Sequence, residues 1–366
     1  MAMSNSYTIE KKENEKKEKL KVKLAVLDNH QFVSYYLKKV LGESSRSIVY
    51  RANPLNRHSV NKKRKALKLP KLERIAIKIV NGDDQETDKE YSILPRLNHP
   101  SIPKLVGCSW SPVKKNWYYG MTLAKGGDMQ TWIEKQLPTE KRLAPLFYQL
   151  VSAVMHTHES GFVHRDIKLE NVFFKDKQQT EVFLGEWGLA TPYSQTTILT
   201  LDCGTLHYCA PEILDHCPYI GPEVDIWSLG VCLYSALTGY YPFRGNTPRE
   251  KLLDVQTPLS FPPGVSLEFQ SIVNAFLQPA PHKRVALSVA IQHPWFKLYM
   301  TPDELIDSPA PINLNTSSPS SSSSFVCTSS SLTLSSSVSL KDYFTPRHRR
   351  PQSQKVQSPS SRSINL

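Results

Sequence analysis

HRDIKLEN, residues 164–171, decides how the rest of the chain is read. It sets Asp166, Lys168 and Asn171 within eight residues, directly behind RLAPLFYQLVSAVMHTHESG, a long apolar pattern of helical period. A carboxylate, an ammonium and an amide so closely spaced at the end of a buried helix form a polar loop that chance composition rarely produces. A second unusual stretch follows at 183–191, FLGEWGLAT. There Glu186 ends a short apolar run between Gly185 and Gly188. A carboxylate in such a place is costly unless a cation, a metal or water compensates it.

The 366 residues suffice for one large domain or two ordinary ones. No apolar run approaches the roughly 20 residues of a membrane span, and the start, MAMSNSYTIEKKENEKKEKLK, lacks the apolar core of a signal peptide. Cys108, Cys203, Cys209, Cys217, Cys232 and Cys327 form no CxxC pair and no metal-ligand rhythm, so reduced thiols in an intracellular protein are expected. The net charge of +12 is uneven. Residues 1–24 hold seven Lys against four Glu, 51–74 nine Lys and Arg against one Glu, and 298–366 six bases against four acids. The remainder is close to neutral. Basic character thus belongs to appendages, which argues against a protein built mainly to bind nucleic acid.

Along the chain, residues 1–35 read as a charged, disordered extension. YYLKKVLG, SIVYRA and RIAIKIV read as strands, separated by a basic, proline-punctuated insertion at 51–74. DQETDKEYSILPRL has Tyr91, Leu94 and Leu97 at helical spacing, with Pro95 inside the pattern. From about Met129 to Phe296 the periodicity becomes mostly helical. The Ser-rich stretch that follows, 297–366, is expected to be a disordered tail.

HRDIKLEN matches the catalytic loop of eukaryotic protein kinases, and other motifs fall in the order that family keeps across residues 36–296. The resemblance implies an α+β, bilobal fold, a small β-rich lobe with one main helix above a larger helical lobe, and ATP in the cleft. Phosphoryl transfer asks for an aimed acceptor hydroxyl and neutralised charge rather than covalent help. By resemblance Asp166 orients or deprotonates that hydroxyl, Lys168 supports the γ-phosphate, and Asn171 binds a second Mg²⁺. Lys78 in RIAIKIV resembles the strand lysine that grips the α- and β-phosphates, Glu90 its helix partner, and Ala76 part of the nucleotide pocket. MTLAKGGDM resembles the hinge: Met121 is at the gatekeeper position, and the backbone of Thr122, Leu123 and Ala124 would bind adenine. Asp128 would reach ribose or a basic substrate side chain. Glu212 in CAPE and Arg284 resemble a buried ion pair, and Asp225 an anchor for the catalytic loop. Lys168 with Thr205 points to serine and threonine acceptors. YIGPEVDIWSLG resembles the calmodulin-dependent and AMP-activated kinase branch.

Two departures stand out. GEWG occupies the place of Asp-Phe-Gly, so Glu186 corresponds to the Mg²⁺ ligand and Trp187 to a core phenylalanine. The extra methylene moves the carboxylate by about 1.5 Å, and a misplacement of ~1 Å can cost about 10²-fold in rate. Gly185 is expected to give the longer arm room. In LGESSRSIV, Leu41, Gly42 and Val49 fit the phosphate loop, but Ser44 and Ser47 replace glycines whose missing Cβ lets backbone N–H groups approach phosphate. Two functions therefore stay open: an ATP- and Mg²⁺-dependent Ser/Thr kinase, with Mn²⁺ as an alternative metal, or a scaffold that keeps the fold without efficient catalysis.

Arg165 offers a cationic partner to a phosphate on Thr196, Thr197 or Thr200, with Asp202 as a fixed negative charge. Asp128 and Glu170 resemble positions that read an upstream arginine, implying basic protein substrates. KKRK at 62–65 reads as a solvated loop face, with a nuclear-import signal or a patch for anionic surfaces as the alternatives, and the expected location is cytoplasmic with the nucleus as a second. Nucleic-acid binding lacks aromatic interleaving or a recognisable module.

Overall fold

The computed structural model describes residues 21–26, 32–44, 47–55, 61–62, 65, 73–81, 88–111, 113–201 and 203–306. All of them belong to one compact unit of the chain.

Six antiparallel strands build the upper lobe: β1 (Lys21–Val26), β2 (Phe32–Glu43), β3 (Ser47–Pro54), β4 (Ile75–Asn81), then, after helix α1 (Asp88–Ile93), β5 (Leu105–Ser111) and β6 (Asn116–Thr122). Their order, β1-β2-β3-β4-β6-β5, closes into a barrel. Period-two alternation explains the closure. Val22 and Leu24 of β1 point inward to join Tyr35, Leu37, Ala52, Ile75, Ile77, Ile79 and Tyr118, while Lys21 and Lys23 stay outside. Gly120 permits this. A Cβ there would lie 2.6 Å from Leu24 Cδ1, so any larger residue would push Leu24 out of its place in the barrel.

Three expected boundaries are corrected. Residues 21–26 and 32–35 are not part of a disordered extension: β1 is a strand, because Lys-Val-Lys-Leu supplies an inward apolar face despite its charge, and β2 begins at Phe32. The insertion gives up residues 51–54 to β3, where Ala52 and Pro54 are buried. The tail gives up its start, as noted below. The first twenty residues, most of the insertion and 307–366 lie outside the described residues.

The lower lobe contains α2 (Met129–Lys135), α3 (Glu140–Glu159), β7 (Phe162–Val163), β8 (Val172–Phe174), β9 (Val182–Leu184) and β10 (Thr191–Pro192). Then come α4 (Pro211–Leu214), α5 (Pro222–Thr238), α6 (Pro248–Asp254), α7 (Leu267–Phe276), α8 (Leu287–Ala290), α9 (Pro294–Tyr299) and α10 (Pro302–Ile306). The apolar faces of α3, α5 and α7 share one core with Ile93, Leu94, Leu97 and Ile102. The segment after α1 is therefore rooted in the lower lobe. Glu140, in the first turn of α3, accepts from Ser266, Trp295 Nε1 (2.9 Å) and Tyr299 Oη (3.4 Å), joining three helices at one carboxylate. Tyr148 Oη donates to Leu305 O at 2.7 Å, so residues 297–306 are folded where a tail was expected. No helix among the described residues is long and apolar enough to cross a membrane.

Candidate active site

β4 turns Ile75, Ile77 and Ile79 into the barrel, which leaves Ala76 and Lys78 facing the cleft. Lys78 is buried, and its Nζ donates to Glu90 Oε2 at 2.8 Å and to Glu186 Oε2 at 3.0 Å. Burial alone would push this ammonium down. The carboxylates of Glu90 and Glu186 outweigh it and hold the lysine above its ordinary value, charged at any relevant pH. Glu90 comes from α1 and Glu186 from the turn after β9, so one ammonium joins both lobes.

The catalytic loop is strained and anchored. Arg165 has φ 66° and Glu186 φ 58°, a left-handed region that side chains avoid. Asp225, fully buried on α5, accepts from the amides of His164 and Arg165 at 2.8 Å each and from His158 Nε2 at 2.9 Å. Burial opposes its charge, but His158 and the loop amides prevail and keep its carboxyl below the usual range. Burial also lowers His164, leaving a neutral ring. Its contacts define the tautomer: Nε2–H donates to Gly185 O (2.9 Å) and Nδ1 accepts from the Asp166 amide (3.2 Å). That ring also meets Trp187 edge-on at 4.7 Å. Trp187 is fully buried, with Nε1 donating to Leu184 O at 3.1 Å, so the bulkier ring is accommodated and its polar edge satisfied.

Three predicted residues converge on the carboxylate of a fourth, Asp166. Asp166 Oδ2 accepts from Lys168 Nζ and from Asn171 Nδ2, both at 2.9 Å, and Oδ1 accepts from Thr205 Oγ1 at 3.2 Å. Lys168 also donates to Thr205 Oγ1 at 2.9 Å, and Asn171 Nδ2 to Asp166 O at 2.8 Å. With Nδ2 so engaged, the remaining side-chain atom of Asn171 for a cation is Oδ1. Among the described residues no group of three His, Cys, Asp or Glu side chains could hold a metal ion. Glu186 and Asn171 supply hard oxygens but too few of them, which suits a divalent ion that completes its shell with phosphate and water.

The nucleotide-facing residues line the same cleft. Gly42 pairs with Val49, and Val49 with Lys78, across β2, β3 and β4; Leu41 is exposed beside them. Ser44 and Ser47 close on each other. Ser44 N–H donates to Ser47 O (2.8 Å), Ser47 N–H to Ser44 Oγ (3.1 Å), and the two hydroxyls lie 3.0 Å apart. Both backbone donors are spent internally. At the hinge, Met121 pairs with Ala76, and Thr122 N–H is taken by Lys104 O at 3.0 Å. Leu123 and Ala124 make no backbone hydrogen bond within the described residues, and Leu123 is buried. Unspent backbone groups at a buried turn suit the edge of a base.

Three expectations read differently in place. Gly185 is required by Phe173, whose ring would lie 2.7 Å from a Cβ there; it is not a relief for the Glu186 arm. Asp128 is the N-cap of α2, accepting from Thr131 N (2.7 Å) and Thr131 Oγ1 (2.9 Å). Thr196, Thr197 and Thr200 are exposed and none is bonded to Arg165, whose guanidinium donates to Leu189 O (2.9 Å) and Tyr219 Oη (3.4 Å). Asp202 lies outside the described residues. Glu212 and Arg284 do form the expected pair, at 2.6 and 2.7 Å. Sequence reasoning missed His158, whose only signal was its place near the end of the helix before the loop.

A bilobal phosphotransferase with an inter-lobe cleft is what this fold and cluster define. The protein kinase domain profile matches residues 35–296. Myosin light chain kinase A of Dictyostelium discoideum is 34% identical over 276 residues, covering 72% of this chain and 88% of that protein. Serine/threonine-protein kinase ppk25 of Schizosaccharomyces pombe is 36% identical over 204 residues, 55% of this chain and 47% of its own. Human calcium/calmodulin-dependent protein kinase type IV is 32% identical over 269 residues, 71% and 54%. The chain spans about half the length of the last two. It belongs to the protein kinase family, as a serine/threonine kinase of the branch that includes these relatives.

Proposed function

We propose that the chain transfers the γ-phosphate of ATP to serine or threonine hydroxyls of protein substrates. The observation that carries this is the Asp166 carboxylate, held by Lys168, Asn171 and Thr205 below a cleft whose Lys78–Glu90 pair is formed. Asp166 accepts the acceptor's proton as its oxygen attacks phosphorus. Lys168 and Lys78 meet the charge on the transferring group and on the departing ADP. A divalent ion held by Asn171 and Glu186 would neutralise the phosphates when bound. Asp166→Asn should lower kcat by about 10³-fold while ATP affinity changes little. The check is phosphate transfer to a basic protein, alongside nucleotide titration. A variant as active as wild type would refute the assignment.

A scaffold that binds nucleotide without turning it over is the second reading. It draws on Glu186, whose carboxylate is occupied by Lys78, and on the self-closed serine turn. Absence of transfer by the wild type with either Mg²⁺ or Mn²⁺ would select it. Asp128 and Glu170 support a preference for basic residues upstream of the acceptor. Asp128 also accepts from Thr131 N at 2.7 Å, and Glu170 from Tyr208 Oη at 3.1 Å.

A further inference from the structure

Lys251, on α6, has no exposed surface. Its Nζ donates to the carbonyl oxygens of Leu206 (2.7 Å), His207 (2.6 Å) and Cys209 (3.2 Å). An ammonium has three donors, and each finds an acceptor. The Tyr208 carbonyl, the one left in this segment, accepts from Ser228 Oγ at 3.0 Å. Every carbonyl from Leu206 to Cys209 is therefore engaged. The segment continues directly from Thr205, which is bonded to both Asp166 and Lys168. It therefore adjoins the place an acceptor hydroxyl would take at Asp166.

The lysine is held as firmly as the loop it holds. Thr247 Oγ1 caps α6 through Glu250 N (3.2 Å), and Glu250 Oε2 accepts from Asn246 N (2.9 Å). Asp254 Oδ2 accepts from Arg244 N (2.9 Å) and Gly245 N (2.8 Å), so the preceding loop is tied back onto the helix. A Cβ on Gly245 would lie 2.4 Å from Lys251 N. A core position with only a packing role would be filled by an apolar side chain at no desolvation cost. A buried ammonium facing carbonyl dipoles points to shaping of the loop.

We propose that Lys251 is a positioning residue for the protein substrate, its buried ammonium fixing residues 206–209 in the form that receives the substrate beside its acceptor. This rests on the kinase reading and adds a residue that the catalytic motifs do not contain. Burial pulls Lys251 down to about 8. The titratable groups around it are the Cys209 thiol, His207, lowered by burial and stacked on Tyr241 at 4.3 Å, and Glu250 and Asp254, whose carboxylates turn to the 244–246 loop. A neutral amine has two donors, so one of the three carbonyls is released as the proton leaves.

The test is steady-state kinetics of the full chain with ATP and a basic peptide, wild type against Lys251→Met, from pH about 6.5 to about 9. Expected is a peptide KM about tenfold higher in the variant, with kcat and the KM for ATP nearly unchanged. The wild-type peptide KM should rise above pH about 8, and the variant's should stay flat. Equal peptide KM and pH profiles would overturn the proposal, as would a fall in kcat alone together with lower thermal stability. If Lys251→Met does not fold, the wild-type profile decides, and a flat peptide KM overturns it. No transfer by the wild type would remove the kinase reading instead. Hydrogen exchange at the 206–209 amides then decides the lock itself: faster exchange in the variant supports it and equal exchange overturns it.

Discussion

Ser44 and Ser47 show how one residue type redirects a loop without breaking it. The Ser44 N–H bonds the Ser47 carbonyl, a contact glycine would keep, but the Ser44 hydroxyl takes the Ser47 N–H that a glycine would leave free. A nucleotide must open that turn before the amides can reach phosphate, so part of its binding energy goes into the opening. Replacing both by glycine should lower the KM for ATP by about three- to tenfold, in line with removal of one or two hydrogen bonds of about 1 kcal/mol each, with little change in kcat. Titration with ATP over a range of concentrations checks this; an unchanged or higher KM would mean that the hydroxyls themselves bind the phosphates. Glu186 teaches the same lesson in reverse. Its place at the end of β9 raised the question of what compensates the charge, and the answer is the ammonium of Lys78 at 3.0 Å.

At the scale of elements, β1 depends on a position far from it in sequence. Leu24 fills the space that Gly120 leaves on β6. Gly120→Ala should therefore destabilise the upper lobe by about 1–3 kcal/mol through overpacking, measured by denaturant unfolding; pairing it with Leu24→Ala should recover part of the loss. A Gly120→Ala protein as stable as wild type would show that β1 contributes little. This element was illegible in the sequence for a physical reason. KVKLAV sits in a lysine-rich run, and its two inward side chains acquire meaning only when a glycine some hundred positions later opens the site. The catalytic loop was legible because its chemistry needs three residues at fixed short spacing, with Asp225 anchoring it from α5. Asp128 was legible only in part: its type fits both a cleft carboxylate and a helix cap, and the cap is visible only in the geometry.

At the scale of the molecule, the two lobes are joined by polar contacts as well as by the shared core. His99, in the turn after α1, accepts at Nδ1 from Ser101 N (3.0 Å) and meets Ser152 Oγ of α3 at 3.0 Å through Nε2. Burial, with His156 and Lys175 nearby, lowers it to about 4. The unfolded chain, with an ordinary histidine near 6.5, thus takes up this proton first as the pH falls. Stability from His99 should be intact above about 6.5 and lost progressively towards about 4. His99→Gln should flatten the dependence of Tm on pH in that window; an unaltered slope would place the acid sensitivity elsewhere.

The closed upper barrel has a further consequence for recognition. Each of its six strands already has a neighbour on both sides, the seam being sealed where Ala25 and Val26 pair with Cys108 and Gly107. An extended peptide that docks by adding itself to a sheet needs a row of idle main-chain groups. Among the described residues this lobe offers such groups only in the short stretches of β1 and β5 that lie beyond the two seam pairs. A protein that grips this lobe thus meets mainly its outward side chains, and main-chain zippering of two copies has only those short edges to work with.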